Sequence, residues 1–222
     1  MIEPSGRTSF HTRAGALALA LLMAAVLAAC DGDQPSRQRK EEPPPTADFQ
    51  VVETRGIDAQ DRPEAQGAAS AASAGVTATV NAYYNAAFIE KGKWGQGLHP
   101  DLASFFTADV QAQIAPQLAA LALADIAPAI TKVNPTKQEI PILTFQIEPD
   151  MTAPLAVATV LFEATATAVE KENSPVKIAH TATFWFVKEG DAYKIAGFKT
   201  HLVADSEART GWLPPPEGFL AT

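Results

Sequence analysis

The sequence predicts an α+β domain, with helices first and then an antiparallel sheet of about four strands that the helices cover on one face. Three observations carry this. Apolar residues recur every three or four positions from Val76 to Ile126, then the period changes to two after Lys137. Turn chemistry divides the second half at Asn173, Ser174 and Pro175 and again at Lys188, Glu189, Gly190 and Asp191.

The first helix is expected over residues 76–91. Val76, Val80, Tyr83, Tyr84, Ala87 and Phe88 share a face, and Gly92 sits where a left-handed cap is common. Lys93 to Gly97 reads as a turn carrying Trp94. A second helix opens at Pro100, with Asp101 favourable to its dipole. Leu102, Phe105, Phe106, Val110 and Ile114 follow at helical spacing until Pro116. Leu118, Leu121, Leu123 and Ile126 continue as a third helix or a kinked extension, and need a sheet to cover them.

Strands are expected over residues 140–147, 155–169, 176–187 and 192–203. Pro141 places the first near an edge or a strand start. The second is rich in Ala, so helix is an alternative, but its Val and Thr residues favour a strand. The last two form a hairpin. Its assumed register sets Phe184 opposite Ile195, His180 opposite Lys199 and Ile178 opposite His201. Residues 76–205 then form the domain.

Residues 181–198, TATFWFVKEGDAYKIAGF, resemble the final hairpin of nuclear transport factor two-like domains. The helix bearing Tyr83 and Tyr84, followed by Phe105 and Phe106, is similar to their opening helices. The resemblance implies a cone whose curved sheet and helices enclose a pocket, used in that family as an isomerase or dehydratase site or as a binding cavity. Residues Tyr83, Tyr84, Phe105, His180, Phe184 and Lys199 are the expected lining.

Upstream, Leu27, Ala28, Ala29 and Cys30 close an apolar run over residues 14–29 that follows Arg7 and Arg13. This order resembles a bacterial lipoprotein signal with its lipobox. The resemblance implies that residues 1–29 are removed and that Cys30, diacylated, becomes the first mature residue. The protein is then held to the cell membrane by lipid and faces the extracytoplasmic side. The bland alternative is a retained transmembrane helix, for which the run is shorter than the roughly 20 residues a bilayer core needs. With this leader the architecture also resembles the small lipoproteins and Mce-associated proteins of high-GC Gram-positive bacteria.

Residues 30–75 are expected to form the lipidated cysteine and a flexible tether. Its first part carries no large apolar side chain and cannot offset the entropy of ordering. Fully flexible, it would span roughly 35–40 Å. Two features leave alternatives open. Phe49, Val51 and Val52 make either a docking strand or partner contact, or a local cluster that comes and goes, and the Ala-rich end could be early helix. Residues 206–222 form a Pro-rich tail, expected as polyproline II. It is either a partner-binding segment or a strap laying Trp212 and Phe219 on the domain.

The 222 residues carry a formal charge of −8. Loss of Arg7, Arg13 and Glu3 with the leader makes it one unit more negative. Nucleic acid is a poor partner for such a chain, and anionic headgroups would not attract it. One cysteine permits no intrachain disulfide and no thiolate metal site.

Chemistry-bearing candidates are sparse. His180 shares a face with Phe184 and Phe186 and is the best base, with Tyr84 or Lys199 nearby; His201 lies nearer the strand end. Glu163, Asp109 and Asp125 fall on polar faces by spacing. No phosphate loop, zinc-protease motif or nucleophile elbow occurs, and no cofactor or metal is expected. The leading expectation is a lipid-anchored, non-catalytic binding or assembly domain taking a small apolar ligand or an envelope protein. The alternatives are an isomerase- or dehydratase-like enzyme using a pocket histidine, and a filled core that leaves only surfaces to work with.

Overall fold

The structure is a computed structural model that describes residues 44–57, 62–94, 98–170, 174–217 and 219. Cys30 and the whole expected leader lie outside the described residues. A compact unit begins at Pro44.

The sheet has six strands and is mixed, which overturns the expectation of four antiparallel strands in a nuclear transport factor two-like cone. Its strands are β1 (Gln50–Ile57), β2 (Ile130–Gln146), β3 (Leu155–Ala168), β4 (Val176–Glu189), β5 (Ala192–Ala204) and β6 (Glu207–Leu213). They lie side by side in sequence order. β1 runs parallel to β2, and every other pair is antiparallel. Both added strands come from segments the sequence assigned elsewhere: β1 from the expected tether and β6 from the expected tail.

Over residues 44–57 the chain packs on the domain, as the docking-strand alternative for Phe49, Val51 and Val52 has it, and the reason is local. Phe49 is buried among the rings of Tyr84 and Phe162. The backbone N–H groups of Phe49 and Ala47 donate to the side-chain carbonyls of Asn81 (2.8 Å) and Asn85 (2.7 Å). These two asparagines, one near the end of α1 (Pro63–Tyr84) and one at its C-cap four residues on, hold the incoming chain like two rungs. The helix itself starts thirteen residues before Val76, with Pro63 in its first turn and Glu64 beside it. Its early buried face is Ala65 and Ala69, side chains too small to register as an apolar stripe. One π-helical turn (Asn85–Ile89) extends it.

The expected second and third helices break into one-turn pieces: α2 (Pro100–Ala103), α3 (Ala108–Gln111) and α4 (Leu118–Leu121). The break at Phe106 has a clear cause. β6 ends opposite Phe198, leaving the edge of β5 open beyond it. The chain at Phe105–Thr107 closes that edge. The Ile195 N–H donates to the Phe105 carbonyl (2.8 Å), and the Thr107 N–H donates to the Ile195 carbonyl (3.0 Å). A helix could not offer those groups outward.

β2 starts ten residues before the expected strand and is interior, not an edge. Its two prolines are accommodated by irregularities, with pairing shifts between Pro135 and Lys137 and between Glu139 and Ile142, the second spanning Pro141. β3 is a strand throughout, so its helical alternative is excluded.

The β4–β5 hairpin is tighter than expected. Glu189 pairs with Ala192, leaving Gly190 and Asp191 as a two-residue loop. Gly190 has φ +62°, the first-position glycine of a II′ turn. A bulge then follows between Trp185 and Phe186, so Phe184 faces Phe198 and Thr183 faces Lys199. His180 pairs with Leu202, not Lys199, and His201 pairs with Thr181, not Ile178. Asp205 (φ +49°) and Ser206 (φ +69°) form the next two-residue loop, with both central residues left-handed as a I′ turn requires.

Burial alternates along β3 and β4. Ala156, Ala158, Val160, Phe162, Ala164 and Ala166 face the helices, as do Ile178, His180, Ala182, Phe184 and Phe186. The residues between them make a half-buried outer face of threonine, aliphatic side chains and Trp185.

Candidate functional site

Among the described residues, two of the places that bring polar groups together lie on opposite faces of the sheet. The inner one is sealed. His180 extends from β4 into a ring cluster of Tyr84, Phe88 and Phe162 and is 1% exposed. Its Nδ1 lies 2.7 Å from the Tyr84 hydroxyl, while Nε2 is buried without a hydrogen-bond partner. Burial lowers the His180 pKa to about 3; the Ala120 backbone, near the ring but outside hydrogen-bond geometry, pulls the other way, and His201 adds to the lowering. Burial likewise raises the Tyr84 hydroxyl well above the ordinary phenol range, with Tyr83 contributing. Both groups are neutral at pH 7.

Tyr83 is also fully buried, its hydroxyl donating to the Leu121 carbonyl at 2.5 Å. Its ring meets Phe105, Phe106 and Phe184 edge-on. Five of the six expected lining residues therefore do converge, but on one another. The space they were expected to line is filled by their own rings. Lys199 is not among them. It is exposed on the opposite face, because the bulge and the tight turn shift it to Thr183.

The outer site is an open pocket of about 780 Å³ across β4, β5 and β6. Two adjacent cross-strand rows build it. Thr183, Lys199 and Trp212 pair in succession across the three strands, and so do Thr181, His201 and Thr210. Strand geometry places neighbours within a row about 4.8 Å apart and the rows about 6.7 Å apart. Gln117 joins the lining from the helical layer, and Gly211 lies in the floor. The Gly211 backbone is close-packed on its inner side, where an added Cβ would come within 2.7 Å of Thr200 Oγ1.

Trp212 is 51% exposed and stands edge-on to Trp185, ring centres 5.6 Å apart at 83°. The tail then turns back over the outer face. Pro214 and Pro215 press on Gly197, and Phe219 borders a small cavity with Ile57, Thr144, Leu155 and Val157. This is the strap alternative for the tail, with Trp212 at the rim of the pocket.

No protein-family model, curated protein or solved structure matches this chain.

The remaining candidates are structural. His99 caps α2, its Nδ1 accepting from the Asp101 N–H at 3.2 Å. Glu163, Asp109 and Asp125 are exposed, and Asp125 sits 3.6 Å from Arg209. Among the described residues no three His, Cys, Asp or Glu side chains gather as metal ligands. No helix among them is long and apolar enough to cross a membrane. Sequence reasoning passed over Thr181, Thr183, Thr210 and Trp212. Alternation had already put Thr181 and Thr183 on one face and Lys199 and His201 on another common face. The correct hairpin register would have joined them.

Proposed function

We propose that this is a lipid-anchored protein of the cell envelope whose folded unit binds and does not catalyse, with the outer-face pocket as its working surface. The observation that carries the binding half is the contrast between the two faces. Aromatic rings close the inner side around a neutral histidine, whereas the outer side keeps an open recess that mixes hydroxyl, amine and imidazole groups with the apolar surface of Trp212. The anchoring half is supported by the order Leu27, Ala28, Ala29 and Cys30 after an apolar run, which resembles a lipobox and implies diacylation of Cys30 and removal of residues 1–29. Two acyl chains give stable anchoring where one does not, at about 0.8 kcal/mol per buried methylene.

The halves are tested separately. Cells fed an alkynyl palmitate should label the wild-type protein and not Cys30→Ser, which should leave the membrane pellet; a C30S protein that stays there unlabelled refutes the anchor. For binding, the purified mature protein is titrated with the small-molecule fraction of a cell-envelope extract. Amide signals of Thr181, Thr183, Lys199, His201, Thr210 and Trp212 should shift together. Shifts absent from all six refute the pocket as a binding surface.

A further inference from the structure

We propose that the outer-face pocket recognises an acidic sugar, with Lys199 and His201 taking the acid group and Trp212 supporting the ring; this rests on that pocket being the binding surface. The charge pattern is the first argument. The chain carries a formal charge of −8, yet the pocket lining holds Lys199 and His201 and no carboxylate. Among the described residues neither side chain has an ion-pair partner or a hydrogen bond to another side chain. An anion arriving at Lys199 therefore displaces no existing pairing.

Hydroxyl chemistry is the second argument. Thr181, Thr183 and Thr210 flank Lys199 and His201 in their rows, and Gln117 adds an amide at the edge. Each threonine hydroxyl donates one hydrogen bond and accepts others, so a ligand rich in hydroxyls matches this lining donor for acceptor. A wholly apolar ligand would leave these groups dehydrated and unpaired.

The indole supplies the third. Trp212 is half exposed and held edge-on by Trp185, which limits its freedom without covering it. Trp212 and Lys199 are direct cross-strand partners. Their backbones are about 4.8 Å apart, close to the width of one pyranose ring. A sugar laid on the indole by its apolar C–H face thus brings a ring substituent to the ammonium. Nucleotides would also use an aromatic surface and a cation, but phosphate recognition draws on clustered backbone N–H groups. In this pocket β4 and β5 are interior strands and spend theirs on the sheet ladder.

The test uses the mature chain and matched pairs of probes: glucuronate with glucose, galacturonate with galactose, and N-acetylmuramate with N-acetylglucosamine. Affinity is read from amide shifts and Trp fluorescence. At least one acid should bind about tenfold or more tightly than its neutral partner, and that preference should weaken with added salt. Lys199→Met should remove the preference and keep residual binding of the ring. Trp212→Ala should weaken acid and neutral sugar alike. Both variants lie on an exposed face, and circular dichroism confirms that each is folded. Equal binding of acid and neutral partners, a preference that survives in K199M, or no binding of any probe each overturns the assignment. Whether the pocket binds anything else is read independently from the envelope-extract titration, so the ligand class can fail while the binding surface stands.

Discussion

The Tyr84 hydroxyl and Nδ1 of His180 lie 2.7 Å apart inside the core and are each other's polar partner, in a shell made of aromatic rings. The contact joins α1 to β4 across 96 positions of chain. It gives the fold a sensitivity to acid. In the folded state His180 takes a proton only near pH 3, whereas in the unfolded chain it does so near 6.5. Its contribution is therefore complete above pH 6.5 and is lost progressively as pH falls toward 3. The full effect is on the order of 5 kcal/mol. Urea unfolding at pH 7 and pH 4 should show this loss, and His180→Phe should show a smaller one. In nuclear magnetic resonance spectra the His180 ring should stay neutral at pH 5; a protonated ring there refutes the sealed core.

Tyr84→Phe removes only the hydroxyl and strands Nδ1 beside Phe88 and Phe162. The expected cost is about 1–3 kcal/mol, the penalty for an unpaired buried polar group. Combining Tyr84→Phe with His180→Phe replaces both polar partners by carbon. The double variant should be less destabilised than the sum of the singles, because each single leaves the other group orphaned. Additive losses in a double-mutant cycle would show that the two groups are not coupled.

The docking of residues 47–49 onto α1 depends on two side-chain amides. Asn81→Ala and Asn85→Ala each remove one acceptor for a backbone N–H, at about 1–2 kcal/mol apiece. Phe49→Ala empties a fully packed site and should cost about 3–5 kcal/mol. In N81A and N85A, hydrogen exchange should quicken through β1 before it quickens in β3 or β4. Uniform quickening would mean that β1 is not a separately anchored unit.

The parts legible in the sequence are those with long, strongly periodic patterns. The later turns of α1, the alternation of β3 and β4 and the glycine of the β4–β5 loop all stand where residue type alone puts them. What escaped depends on partners remote in sequence. Ala65 and Ala69 are buried on α1 only because β1 returns beside it, and small side chains carry little hydrophobic signal. Phe105 and Phe106 have perfect helical spacing, yet the open edge of β5 at Ile195 outweighs it by offering two backbone hydrogen bonds. β6 is announced by Asp205 and Ser206 only if left-handed non-glycine residues are admitted to a turn. Tyr83, Tyr84, Phe105, His180 and Phe184 share the inner side as alternation and helical spacing suggest, but they pack on one another, and Lys199 stands on the other face. The outer pocket was missed because one bulge decides which residues of β5 stand beside Thr181 and Thr183.

Gly197 controls the strap over the outer face. It lies opposite Trp185 at the bulge, and a Cβ built there would fall 2.8 Å from Cα of Pro215 and 2.9 Å from the Pro214 carbonyl oxygen. Real carbon atoms do not approach so closely, and these are backbone atoms that cannot rotate aside. Gly197→Ala must therefore lift the strap. Pro214 is two residues from Trp212, so lifting it should loosen the edge-on contact between Trp212 and Trp185. Near-ultraviolet circular dichroism from the indole pair should weaken, and a protease should cut the tail faster. Global stability should fall by only about 1–2 kcal/mol, since β6 and the inner core keep their own contacts. Trp212→Phe in the wild-type background identifies the spectral signal as that of the pair. If G197A leaves both the indole signal and the cleavage rate unchanged, the strap does not rest on β5 in solution, and the rim of the pocket must be redrawn without it.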